Sequence, residues 1–176
     1  MTETSSLAPG VFAHDRQCGA CGMCCKLFAI QALDKPEGKW CLHYGRAGGC
    51  SIYETRPEPC RNFECGYLVY AFLDDRWRPD RSKFVIWLNK KYARMMVEVD
   101  PAYPDAWKKE PYYSALKQWC RRKSPNAPEF MVKVGHQVTL LFPEADIPLG
   151  VVQDRAIDSG YEMAPGGRYA PYARWR

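Results

Sequence analysis

Eight of the nine cysteines fall within residues 18–65, and the first four are packed as Cys18-Gly19-Ala20-Cys21-Gly22-Met23-Cys24-Cys25. The others in this stretch are Cys41, Cys50, Cys60 and Cys65, and the ninth, Cys120, stands far downstream. So dense a set of thiols leaves two ways to fold: a disulfide framework or thiolate ligation of metal. Disulfides fit poorly. The count is odd, and neighbouring thiols such as Cys24 and Cys25 pair only with strained geometry. Residues 1–10 offer neither a basic start nor an apolar stretch, so export to an oxidising compartment is not expected. No apolar run approaches the ~20 residues of a membrane span. A soluble, cytoplasmic protein with metal at its cysteines is the expectation.

The spacing has a physical reason. Two residues between thiols let the chain fold back and bring both sulfurs within ~2.3 Å of one ion. Gly19 and Gly22 supply the positive φ such knuckles need, and backbone N–H groups there are free to point at sulfur. Adjacent side chains diverge, most cleanly in a strand. Cys24 and Cys25 are therefore expected to serve two different sites, eight thiols dividing into two sets of four. In the second half of the cluster, Gly48-Gly49 precedes Cys50, and Pro57 and Pro59 stiffen the entry to Cys60. Four thiolates leave net negative charge around a divalent ion. Lys26, Arg56 and Arg61 are placed to offset it, or else to pair with nearby glutamates.

The run Cys18-x-x-Cys21-x-x-Cys24 matches three cysteines of the bacterial ferredoxin pattern, though Lys26, not Pro, follows Cys25. Zinc or a single iron suits the same knuckles. His43, two residues after Cys41, is read as structural rather than as a ligand. All eight clustered cysteines are thus candidate metal ligands.

With Ile52-Tyr53, Arg56-Pro57, Cys60-Arg61 and Phe63 between the later cysteines, residues 18–65 resemble the bacterial CxxCxxCC family, the YkgJ-type zinc- or iron-chelating domain. The resemblance implies a chelating function with zinc or iron. A related cluster in flagellin lysine methylases, where an iron–sulfur cluster is implied, favours iron–sulfur for at least one site. It does not carry methyltransferase activity to this chain.

The remaining sequence reads as scaffold. Phe84–Leu88 and Arg94–Val99 form an expected hairpin around Asn89–Ala93, and Phe130–Val134 and Gln137–Phe142 another around Gly135-His136. A helix is expected from Pro111 or just after it to about Arg122, with Cys120 as a core thiol. Ser124–Pro128 reads as a loop and Gly150–Ile157 as a short strand or turn. The expected fold is α+β: a cysteine-rich metal-binding module packed on a small antiparallel sheet with one main helix. Residues 1–17 read as a flexible lead-in, 18–160 as a single metal-binding domain, and 161–176 as a loosely ordered basic aromatic tail.

Net charge is +5, concentrated in residues 66–125. Arg76, Arg78, Arg81, Lys83, Lys90, Lys91 and Arg94 with Trp77, Trp87, Tyr92 or Tyr172 would make a nucleic-acid surface, but interspersed acids favour ordinary solvated surface and core aromatics. No phosphate loop, dinucleotide fingerprint or His-Glu-x-x-His motif is present. A metal-binding protein is the leading reading. A cluster-dependent methylase- or oxidoreductase-like enzyme comes next, then a zinc-stabilised nucleic-acid module.

Overall fold

Short apolar runs broken by Gly and Pro give short elements. The computed structural model describes residues 16–121 and 128–176. The expected lead-in therefore lies outside the described residues, Arg16 and Gln17 excepted, as does most of the expected loop at Ser124–Pro128. The chain runs through α1 (Met23–Leu27), a 3-10 turn at Gln31–Leu33, and a ladder of β1 (Tyr44–Gly45) with β2 (Gly49–Cys50). The one-turn helices α2 (Glu58–Arg61), α3 (Gly66–Val69) and α4 (Pro79–Ser82) follow. Then come β3 (Phe84–Asn89), β4 (Arg94–Val99), α5 (Tyr112–Cys120), β5 (Glu129–Val134), β6 (Gln137–Leu141), β7 (Asp146–Val151), β8 (Ile157–Met163) and β9 (Tyr169–Trp175).

Both expected hairpins form, β3 with β4 and β5 with β6. The sheet they build is not purely antiparallel as expected. Its order is β3-β4-β5-β6-β7, and β4 pairs with β5 in parallel, Val97 opposite Val132. The cause is the connection. A helix between two hairpins carries the chain back across the sheet, and a crossover of that length delivers the next strand parallel. The α+β class stands, with a mixed five-stranded sheet.

Strand alternation gives this sheet two buried faces. One presents Phe84, Ile86, Val97, Phe130 and Val132 to Leu116 of α5 and to Trp77 and Trp107. Phe84, Val97 and Leu116 are wholly buried, each contributing on the order of 1.5–3 kcal/mol. Cys120 packs at the edge of this cluster, the core thiol expected of it. The other face carries two coverings. Met96, Met131, Val138 and Leu140 pack against Ile157, Ala173 and Trp175 of the C-terminal hairpin. Val85 packs against Met23 and Leu27 of α1, with Phe28, Phe63 and Trp87 alongside.

The expected loose tail is thus an ordered antiparallel hairpin, Ile157 opposite Trp175 and Met163 opposite Tyr169. Gly160 and Pro171 interrupt the sequence pattern but are tolerated in a two-stranded ribbon whose outer edges are unpaired. Gly166-Gly167, a local sign of irregularity, lies in the turn that Ala164 and Arg168 close. Trp175 fixes the hairpin to the sheet by donating its indole N–H to the Leu149 carbonyl, 2.9 Å away.

The cysteine-bearing segment is fastened to the sheet by charge as well as packing. Lys133 on β5 donates to both Glu98 of β4 and Glu37, each at 2.6 Å. Arg16 donates to the Tyr67 carbonyl at 2.7 Å and lies over the Tyr67 ring, fixing the approach to Cys18.

Candidate metal centre

The cysteine segments converge because local backbone geometry makes them. Gly22 has φ +60°, and a Cβ there would lie 2.0 Å from a ring carbon of Tyr44. Glycine therefore lets Tyr44 close over the first knuckle, where its hydroxyl donates to the Ala20 carbonyl at 2.9 Å and its ring stacks on Trp40. Gly49, with φ +77°, brings β2 so near that a Cβ would lie 2.4 Å from the Gly19 carbonyl oxygen. This contact draws Cys50 in toward the first knuckle. The Cys41 N–H donates to the Cys25 carbonyl at 2.9 Å, which docks the third segment on α1. Pro57 leads into α2, which holds Cys60, and Cys65 sits immediately before α3.

Seven of the eight clustered cysteines, all but Cys21, line one cavity of about 240 Å³. Phe28, Ile30, Leu33, Ile52, Phe63 and Leu68 complete much of its wall, and Lys35 and Arg56 are the cations in it. A second, much smaller void of about 20 Å³ lies against it, lined by Cys18, Cys21, Cys24 and Cys65 together with Arg78 and Val85. That is room for one water or one small ion. All nine cysteines are free thiols. His43 and Arg61 are not in either lining.

Cys24 and Cys25 do not diverge as a strand would make them. They lie on α1, where successive side chains are only about 100° apart, and both face the large cavity. Cys24 lies between Cys18 and Cys25, whose thiols act on its own. Held between two sulfurs, Cys24 keeps its proton well above the ordinary thiol range, while hydrogen bonding to Cys24 lowers Cys18 to about 6 and also lowers Cys25. Burial pushes Cys65 up to about 11 and raises Cys21 and Cys60. Backbone N–H groups near Cys18, Cys21 and Cys65 act to lower their thiol pKa values, and the Leu68 N–H donates to the Cys65 carbonyl at 2.9 Å.

Three cations named in the sequence separate into different roles. Arg56 lines the large cavity, its guanidinium 3.7 Å over the Tyr53 ring, and its buried Nε has no hydrogen-bond partner among the described residues. Arg61 donates to the Arg56 carbonyl at 2.7 Å. Lys26 turns away to pair with Asp100. Sequence does not single out Lys35. It is 6% exposed, and its ammonium donates to the carbonyls of Lys26, Phe28 and Pro36 just past α1. Burial lowers its pKa against the opposing pull of the cysteines Cys41, Cys25 and Cys24. A lysine in an Asp-Lys-Pro turn carries no periodic signal that would predict this.

Thiols are the ligands that zinc and iron–sulfur clusters take, and an unpartnered buried N–H beside them suits an anionic thiolate centre. The donor set fits such a group. Among the described residues, no three His, Cys, Asp or Glu side chains form a group that would hold one metal ion as they stand. A single ion needs sulfurs converged at ~2.3 Å. A polynuclear cluster spaces its terminal thiolates more widely, which matches the large cavity better.

Much of the basic middle segment is held in ion pairs. Arg76 pairs with Asp74, Arg81 with Asp75, Lys90 with Glu64 and Lys91 with Asp154. Trp77 is buried and Trp87 packs beside α1. Among the described residues, no helix is long and apolar enough to cross a membrane. Comparison with known protein families, curated proteins and solved structures returned no match.

Proposed function

We propose that the chain is a metal-binding protein whose clustered cysteines hold an iron–sulfur cluster, zinc, or both. The observation that carries this reading is the convergence of thiols from four separate segments on one cavity, with Arg56 and Lys35 as its cations. The likeness of the cysteine spacing to the CxxCxxCC family points the same way. The cavity volume favours a polynuclear iron–sulfur centre over a lone ion there. When bound, such a cluster would supply one-electron redox chemistry or structural cross-linking. The chain's own part is to present thiolates, place cations beside them and shield them with apolar walls.

The test is anaerobic purification followed by absorption spectroscopy and analysis of iron, acid-labile sulfide and zinc. A broad visible absorption that bleaches with dithionite, with iron and sulfide in matching amounts, is the expected result. A folded protein that takes up neither iron nor zinc sinks the reading.

A further inference from the structure

We infer that the eight thiols divide four and four: Cys18, Cys21, Cys24 and Cys65 around a single tetrahedral ion, and Cys25, Cys41, Cys50 and Cys60 around a polynuclear cluster. This division rests on the proposed metal-binding function and says how that site is built. Cys25, Cys41, Cys50 and Cys60 line the large cavity alone, Cys21 lines the small void alone, and Cys18, Cys24 and Cys65 line both, so the small void is where all four remaining thiols meet. Four thiolates are a full set for either centre.

Volume assigns the occupants. A void of about 20 Å³ admits one ion and excludes a cluster with bridging sulfides. A cavity of about 240 Å³ is far more than one ion fills. The surroundings differ to match. The small void has, among the described residues, a single side-chain cation in its wall, Arg78. The large set faces the side-chain cations Lys35 and Arg56, and hydrogen bonds and charge at sulfur are what tune a cluster. Among the described residues these four thiols do not yet form a group that would hold an ion, so they must move inward when one binds. The two centres are neighbours, meeting at the Cys24–Cys25 step.

Cys21→Ser and Cys41→Ser, one from each set, test the division. Each variant is purified anaerobically, its fold is checked by circular dichroism, and zinc, iron and sulfide are measured per chain. Cys21→Ser should lose zinc and keep iron, sulfide and the visible absorption. Cys41→Ser should lose iron, sulfide and colour and keep zinc. If either variant unfolds, wild-type protein decides the matter: ferricyanide dismantles an iron–sulfur cluster, so iron and sulfide should leave while zinc stays. Folded variants that lose both metals together, or a wild-type protein holding only one kind of metal, overturn the division while leaving metal binding intact. A wild-type protein with no metal overturns the underlying reading and the division with it.

Discussion

Lys26 and Asp100 meet in a 2.5 Å ion pair that fastens α1, the helix carrying Cys24 and Cys25, to the residue just after β4. The Asp100 carboxylate is 4% exposed and also accepts the Ala102 N–H. The cysteine module and the sheet are thus joined by a nearly buried charge pair as well as by Val85, Met23 and Leu27.

Lys26→Met should therefore destabilise the protein strongly, because it leaves a buried carboxylate without its partner. A loss of about 3–5 kcal/mol is expected in urea unfolding. Lys26→Met combined with Asp100→Asn should recover part of that loss, since neither charge remains. A single substitution costing under about 1 kcal/mol would mean the pair behaves as a surface salt bridge.

Gly22→Ala should damage the knuckle in two ways. An L-residue at φ +60° costs roughly 1–2 kcal/mol, and the new methyl group would displace the Tyr44 ring. Tyr44 would then lose its stacking on Trp40 and its bond to Ala20. Gly38→Ala is the control, because Gly38 has φ +73° but a methyl group there would meet nothing within 4 Å. Gly22→Ala should lower both thermal stability and metal content, and Gly38→Ala should affect stability alone and less. Equal effects on both measures would show that the Tyr44 contact is unimportant.

The knuckles and both hairpins are legible in the sequence because they are local. Two-residue spacing, glycine placement and period-2 alternation each act within a few positions. The cysteines' common destination is legible from their density and kind rather than from local spacing, but the way Cys24 and Cys25 point is not. That depends on α1 being helical, which five residues of Met-Cys-Cys-Lys-Leu do not announce. Lys26–Asp100 and Lys133–Glu37 join residues 74 and 96 positions apart, and nothing in a local pattern encodes such pairs. The parallel pairing of β4 with β5 is hidden because strand runs reveal hairpins, while a crossover is decided by the connection. The C-terminal hairpin is hidden because Gly160 and Pro171 have the character of breakers, yet sit in strands whose exposed edges tolerate them.

Glu98 gives a pH dependence of definite sign. Burial raises its pKa, and Lys133, though hydrogen-bonded to it, offsets this only in part. A carboxyl with a raised folded-state pKa favours folding below its unfolded value near 4.5. That contribution is lost as pH rises through the folded value. Glu98→Gln removes the titration. The unfolding free energy of Glu98→Gln, relative to wild type, should therefore increase as pH rises above 4.5. A difference that is flat, or that falls over this window, contradicts the assignment.

Arg56 is the residue whose loss should loosen the metal without dismantling the fold. Its guanidinium rests on Tyr53, its backbone carbonyl is held by Arg61, and its buried Nε has no acceptor among the described residues. The thiols that act on it electrostatically are Cys18 and Cys50. An N–H beside thiolates stabilises the bound, negatively charged centre, and losing such a contact typically costs about 10–100-fold in metal affinity. Arg56→Gln should accordingly release metal to a competing chelator about ten times faster or more, with urea stability of the metal-free protein little changed. Arg56→Lys keeps the charge but not the planar, stacked donor, so its release rate should fall between the two. Arg61→Gln, which touches only the Arg56 carbonyl, should have the smaller effect. Release rates for Arg56→Gln that match wild type would remove Arg56 from the centre and leave its unpartnered nitrogen without a role.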